Sequence, residues 1–203
     1  MPAIGITGGI STGKSTFSNC LCEILPRARF FDADKAAHDL VQLPEVKQKI
    51  RAEFGSNVFS RNGGLNREKL RAIVFGDATK KRALEQILHP QIRRQWRTEA
   101  KRHRNSPDFF FADIPLLYET GGETLCDRVV VVACSEKVQL ARLVGRMSLK
   151  NTEAEQMIRS QMPLEEKIAR ADHVVWNDGS RAALMEQVRF LAGLWQHEPW
   201  TKT

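Results

Sequence analysis

Ala3-Ile4-Gly5-Ile6-Thr7-Gly8-Gly9-Ile10-Ser11-Thr12-Gly13-Lys14-Ser15 is the stretch on which the fold turns. Its first four residues form a short apolar, strand-forming run. Gly8 to Ser15 then fits G-x-x-x-x-G-K-[ST] at every fixed position, directly after a strand and opening a helix. Each residue type has a physical reason. Glycines let the backbone take positive φ and approach phosphate oxygens without a Cβ in the way. Successive N–H groups then point inward as an anion nest, reinforced by the positive end of the helix dipole. Lys14 supplies a mobile charge to the β- and γ-phosphates, and Ser15 a hydroxyl ligand for Mg²⁺. The flanking strand and helix argue against a chance Gly-rich turn, so the stretch predicts triphosphate binding. Alone it does not separate a kinase from a GTPase or an ATP-driven machine.

Outward from this loop, four more apolar runs appear, separated by helical pattern. They are Ala28-Arg29-Phe30-Phe31, Asp108-Phe109-Phe110-Phe111-Ala112, Arg128-Val129-Val130-Val131-Val132 and His173-Val174-Val175-Trp176. Near-continuous apolar strands imply a sheet buried on both faces, and their alternation with helices implies a parallel α/β sheet with right-handed crossovers. Between the second and third runs lie roughly 75 residues, far more than one crossover helix needs. Helical pattern recurs there over Pro44 to Phe54, Asn66 to Phe75 and Thr79 to His103, the last with Pro90 as a site for a kink. This segment, approximately 40–105, is predicted to be a helical insertion that holds an acceptor. After the fourth strand, Ser135 to Arg146 reads as a helix. The polar Met147 to Glu166 holds two helical fragments and suits a mobile lid, with the lid as a whole at approximately 142–166.

The bulk properties fit one domain. A chain of 203 residues, 42% hydrophobic and 27% charged, can bury one core with room for an insertion. No apolar run reaches the roughly 18 residues of a membrane span, and the N-terminus does not read as a signal peptide. Cys20, Cys22, Cys126 and Cys134 have no C-x-x-C spacing and are expected to be buried free thiols in a reducing cytoplasm. The five histidines form no metal motif, so a protein-held transition metal is not expected. A formal charge of +7 favours anionic partners without choosing among them. The densest basic stretch, Arg93-Arg94-Gln95-Trp96-Arg97 through Lys101-Arg102-His103-Arg104, reads as the solvated face of a helix, with nucleic-acid binding as the alternative.

Three carboxylates sit where a strand should end. Asp32 and Asp34 follow the second run, and residues i and i+2 share one face at the ligand-lining end of an open α/β sheet. They could take a hydroxyl proton, orient an acceptor or hold Mg²⁺ through water. Capping of the next helix is the other reading for Asp34, which leaves Asp32 as the catalytic candidate. Asp113, closing the third run, stands where a Walker-B carboxylate would lie near Mg²⁺, with a plain strand-end cap as the other reading.

With these residues in view, the chain resembles the dephospho-coenzyme A kinases nearly end to end. Ile6-Thr7-Gly8-Gly9-Ile10 with Gly13-Lys14-Ser15-Thr16 is similar to the family's opening loop. Asp32-Ala33-Asp34 with Ala37-His38 resembles its second-strand signature, and Leu88-His89-Pro90 its L-H-P element. Ile114-Pro115-Leu116-Leu117-Tyr118-Glu119 resembles the P-L-L-[FY]-E segment, followed by Cys126-Asp127-Arg128-Val129. Gln161-Met162-Pro163-Leu164-Glu165-Glu166-Lys167, then Ala171-Asp172 and Asn177, resembles the tail of the lid. The resemblance implies a three-layer P-loop kinase fold of the α/β class with a five-stranded parallel sheet, a helical substrate insertion and a lid. It implies transfer of the ATP γ-phosphate to the ribose 3′-hydroxyl of dephospho-CoA with Mg²⁺. The protein is expected to be a cytoplasmic monomer or small homo-oligomer with ATP and dephospho-CoA as partners and no nucleic acid or membrane.

Carried over by position, the catalytic set would be Asp32, Lys14 and Arg142. ATP would meet Gly9, Ser11, Thr12, Gly13, Lys14, Ser15, Thr16, Arg142 and Arg146, the two arginines lying one helical turn apart. The acceptor would meet Asp34, His38, His89, Leu116 and Glu119. Mg²⁺ would take Ser15, with Asp32 or Asp113 through water. The chain departs from the family at Ser11, where the usual loop has glycine, and at Met147-Ser148, where an acidic residue often follows the lid arginine. Against a GTPase, there is no N-K-x-D motif and no D-x-x-G after the third strand. Another small-molecule or nucleotide kinase is excluded only by the family elements. From a different class, an ATP-binding regulator or nucleic-acid module would need more aromatics than Trp96 in the basic stretch.

Overall fold

Five strands form one sheet: β1 (Ala3–Gly8), β2 (Arg29–Asp32), β3 (Phe110–Asp113), β4 (Arg128–Ala133) and β5 (His173–Trp176). They follow the five apolar runs of the sequence, with ends displaced by no more than two residues. The computed structural model describes residues 2–60, 62–103, 108–197 and 200. The sheet order is β2-β3-β1-β4-β5. β1 lies at the centre, parallel to β3 in the register Ile6 to Asp113 and parallel to β4 in the register Gly8 to Val132. β4 pairs in parallel with β5, Ala133 opposite Trp176. Helices on both faces account for the apolar character of β4, whose Val129 to Ala133 are all buried.

α1 (Lys14–Ile24) and α9 (Arg181–His197) pack together on the core of this sheet. Phe17 and Leu21 of α1 meet Leu184, Val188 and Trp195 of α9 over Ile4, Ile6 and Val130, all nearly free of solvent. Of the cysteines, Cys20 and Cys134 are buried and Cys126 is half-buried, but Cys22 is exposed. The expectation of buried thiols therefore fails at Cys22. Two helical residues on from the buried Cys20 is close to the opposite face of α1, so only one of the pair can enter the core.

Residues 32–99 form a separate compact unit from the sheet-bearing unit of residues 1–31 and 100–203. It contains α2 (Ala33–Leu40), α3 (Pro44–Phe54), α4 (Arg67–Gly76) and most of α5 (Ala78–His103). Pro44 starts α3 at a position where its missing N–H costs nothing, and Gly55, at φ 81°, ends it. Asn66 caps α4 by accepting the Lys69 N–H at 3.0 Å. The unit has its own core of Val41, Val46, Ile50, Phe54, Val58 and Leu70. α5 runs on through Pro90 as one helix. In the basic stretch Arg94, Arg97, Lys101 and Arg102 are exposed while Trp96 is buried, and Arg104 lies outside the described residues.

The region after β4 holds α6 (Glu136–Met147), α7 (Asn151–Arg159) and α8 (Leu164–Ala169). α6 ends at Ser148, which takes a left-handed φ of 53°. Among the described residues no helix is long and apolar enough to cross a membrane.

Candidate active site

The loop between β1 and α1 depends on two left-handed residues. Gly13, at φ 94°, precedes the first residue of α1, and a Cβ there would come within 2.0 Å of the Asn177 Nδ2. Glycine is thus required twice, for its φ and for the space. Ser11 is also left-handed, at φ 59°, although it carries a Cβ. Its Oγ is buried and has no hydrogen-bond partner among the described residues.

Side chains from later elements hold the loop in this shape. Asn177, one residue past β5, donates from Nδ2 to the Thr12 carbonyl at 2.8 Å. Arg142 of α6 donates from Nη1 to the same oxygen at 3.4 Å. Gln139, one turn earlier on α6 and 4% exposed, donates from Nε2 to the Ile10 carbonyl at 2.8 Å. Gln161 accepts the Ile10 N–H on its Oε1 at 3.0 Å. Within the loop, Thr12 donates its hydroxyl to the Gly9 carbonyl at 2.9 Å. A loop whose carbonyls are committed in this way cannot readily turn them toward an incoming anion, which is the meaning of preorganisation for an anion site.

Lys14 opens α1 and pairs with Asp113 at the end of β3. Asp113 also accepts the Ser18 hydroxyl at 2.9 Å. The parallel register that sets Ile6 opposite Asp113 brings this carboxylate to the start of the phosphate loop. Behind the loop lies Lys167 of α8, 0% exposed, whose Nζ is 2.8 Å from Glu119 Oε1. It also donates to the carbonyls of Pro115 at 3.0 Å and Gly8 at 3.3 Å. The same Glu119 oxygen accepts the Met162 N–H at 3.1 Å. Nearby, the Arg170 guanidinium stands 4.2 Å over the Tyr118 ring and pairs with Glu123 at 2.6 Å. Burial pushes the Tyr118 phenol up to about 12.

The sequence candidates divide between the two units. In the sheet-bearing unit, Gly9, Ser11, Thr12, Gly13 and Lys14 form the loop, and Ser15 and Thr16 are exposed on the first turn of α1. Arg142 touches the loop; Arg146, one turn on, is exposed. Leu116 and Glu119 lie in the segment after β3. In the unit of residues 32–99, Asp34 and His38 are exposed on α2, and His89 is half-buried on α5. Burial pulls the His89 imidazole below its ordinary range, against the pull of Glu85. Asp32, not Asp34, caps α2, accepting the Lys35 N–H on Oδ1 at 2.9 Å. The cap assignment moves because β2 runs directly into α2, leaving the strand's last residue as the helix boundary. The sequence reading gave no role to Gln139, Gln161, Asn177, Ser18 or Lys167. Gln161 and Lys167 were marked only by the Q-M-P-L-E-E-K element and Asn177 only by the residues quoted after it, while Gln139 and Ser18 carried no signal.

The family model for dephospho-CoA kinase matches residues 2–183. The chain belongs to the dephospho-CoA kinase family. The match runs from β1 into α9, so it takes in both compact units and every candidate residue. A dephospho-CoA kinase of Carboxydothermus hydrogenoformans is 39% identical over 204 residues, covering 100% of this chain and 98% of its own. Among solved structures, the Thermus thermophilus protein TT1252 superposes with a TM-score of 0.79 at 31% identity, covering 98% of each chain. The dephospho-CoA kinase of Campylobacter jejuni superposes with a TM-score of 0.71 at 27% identity, covering 96% of each chain.

Proposed function

We propose that this dephospho-CoA kinase family member transfers the γ-phosphoryl group of ATP to the ribose 3′-hydroxyl of dephospho-CoA, giving coenzyme A and ADP in the cytoplasm. The observation that carries the reading is the Lys14–Asp113 pair at the mouth of a braced phosphate loop. A lysine held against a carboxylate has a ready alternative partner when a triphosphate arrives, and its charge is then needed on the β- and γ-phosphates. The loop N–H groups of Ser11, Gly13 and Lys14 receive the phosphate oxygens, the Ile10 N–H being held by Gln161, with Ser15 and Thr16 adding hydroxyls at the helix N-terminus. Arg142, already against the Thr12 carbonyl, and Arg146 supply guanidinium charge where negative charge spreads in the transferring phosphoryl group.

The acceptor oxygen attacks the γ-phosphorus as the bond to the β-phosphate bridging oxygen breaks, and ADP leaves. Asp32 orients the 3′-hydroxyl and accepts its proton. Asp34, His38, His89, Leu116 and Glu119 contact the acceptor. Among the described residues no three His, Cys, Asp or Glu side chains converge as a cage. The donor set present, the Ser15 hydroxyl with carboxylates acting through water, fits Mg²⁺, which keeps its waters and takes phosphate oxygens as ligands. When bound, Mg²⁺ would neutralise charge on the phosphates; Ser15 would hold it, with Asp113 or Asp32 through water. Nucleic-acid binding by the basic stretch is disfavoured, because Trp96, 2% exposed, cannot stack on a base without leaving the core.

The test is acceptor preference. With Mg-ATP, purified protein should release ADP with dephospho-CoA at a kcat/KM at least roughly 100-fold above that with AMP, cytidine or shikimate, a difference of about 2.7 kcal/mol in transition-state binding. Equal rates with any of the three would overturn the assignment.

A further inference from the structure

Lys167 is the only charged side chain in the fully buried set among the described residues. It lies outside the catalytic roles proposed above, and its three contacts account for all three of its ammonium protons. Burying such a charge is an inefficient way to stabilise a fold, since a well-packed apolar side chain serves as well or better. What a lysine adds is directional: three oxygens must converge on one nitrogen, so the segments carrying them are fixed relative to one another.

Those segments are the ones that build the phosphate site. Gly8 is the last residue of β1 and the first of the phosphate loop. Pro115 lies two residues beyond Asp113, the partner of Lys14, and its carbonyl also accepts the Thr7 hydroxyl at 3.0 Å. Glu119 continues that segment and accepts the Met162 N–H, next to Gln161, which holds the Ile10 N–H. A single nitrogen thus ties the base of the loop to the segment that follows Asp113 and to the chain that leaves the lid. Were Lys167 absent, the Gly8 and Pro115 carbonyls would lose their shared donor, and the spacing between Lys14 and Asp113 would no longer be set from below.

We infer that Lys167 is a positioning residue for phosphoryl transfer: its ammonium registers the phosphate loop against the Asp113 segment and anchors the end of the lid to both. It touches neither substrate. It acts through Gly8, Pro115 and Glu119. The inference rests on the kinase reading for its kinetic consequence, but not for its effect on nucleotide binding.

Lys167→Met replaces the ammonium by an apolar side chain of similar length. Because it strands Glu119 without its counter-charge, it is paired with the double variant Lys167→Met/Glu119→Gln, which removes both charges together. The double variant is compared with Glu119→Gln alone, so that any loss from the carboxylate itself is separated out. All are measured at 25 °C with folding verified by circular dichroism. The readouts are Mg-ADP affinity by calorimetry, and kcat with the KM for dephospho-CoA by ADP release. The expected result is a kcat at least tenfold lower and Mg-ADP binding at least fivefold weaker than in the matching background, with the dephospho-CoA KM of the double variant within threefold of that of Glu119→Gln, where the acceptor contact of Glu119 is already altered. A folded Lys167→Met, or failing that a folded double variant, with background kcat and Mg-ADP affinity would reduce Lys167 to a packing residue and overturn the inference. If wild-type protein binds Mg-ADP but does not phosphorylate dephospho-CoA, the acceptor assignment fails. The calorimetric comparison still decides the role of Lys167.

Discussion

Ser11 is the residue at which local backbone preference and the loop's needs collide. A left-handed φ in a residue with a Cβ is held only where the surroundings over-determine it, and such strain gathers at functional sites. Here the surroundings are identifiable, because Ile10 and Thr12 on either side are fixed by Gln139, Gln161, Asn177 and Arg142. The Ser11 hydroxyl makes no hydrogen bond among the described residues, so removing it forfeits none. Ser11→Gly should therefore stabilise the ligand-free protein by about 1 kcal/mol, the usual cost of a left-handed L-residue less the greater chain entropy of glycine. For a chain of this size that is an increase in Tm of roughly 2–4 °C, read by calorimetry. A fall in Tm would mean that the serine side chain contributes packing that outweighs its strain. Gly13 allows no such exchange: alanine there meets both the wrong φ and the Asn177 amide.

Helix α2 poses the question of the two aspartates at the level of an element. Asp32 ends β2 and caps α2 with one carboxylate oxygen, so the cap and the proposed catalytic role fall on the same side chain. They can be separated by substitution. Asn caps about as well as Asp, whereas Ala costs about 1 kcal/mol at such a position. Asp32→Asn should leave Tm within a degree while kcat falls roughly 100-fold or more, and Asp32→Ala should lose both activity and roughly 2–4 °C. Unchanged turnover in Asp32→Asn would confine the residue to capping. The same helix marks where sequence stops being legible. The strands could be read because a sheet covered on both faces demands unbroken apolar runs, and α3 could be read from Pro44 to Phe54 because a proline start and a glycine stop bracket a clear apolar stripe. The cap at Asp32 could not be read, since Asp32 and Asp34 both satisfy the residue preference and only the end of β2 decides between them. Gln139, Asn177 and Lys167 were unreadable for a further reason. Each acts across more than 125 residues of chain, on a loop carbonyl whose position no local pattern encodes.

At the scale of the molecule, each of the two units has a hydrophobic core of its own among the described residues. The first gathers Ile4, Phe17, Val130 and Trp195 beneath the phosphate loop, and the second gathers Val46, Ile50, Phe54 and Leu70 in the unit of residues 32–99. Among the described residues the loop and the side chains that brace it belong to the first unit, so in the proposed reading the free energy of nucleotide binding enters the molecule there. A ligand that binds only the native form stabilises it by about 2.7 kcal/mol at 100 times its Kd. Hydrogen exchange reports how far that stabilisation travels, because amides open locally, by unit or globally with distinct free energies. With a saturating non-hydrolysable ATP analogue and Mg²⁺, protection should rise in peptides covering residues 8–24, 110–117, 128–142 and 161–177, roughly 100-fold where opening needs the whole unit to unfold. Peptides from 44–75 should exchange as they do in the free protein, since their opening needs only the second core to loosen. Equal gains in both sets would show that the two cores unfold as one cooperative body.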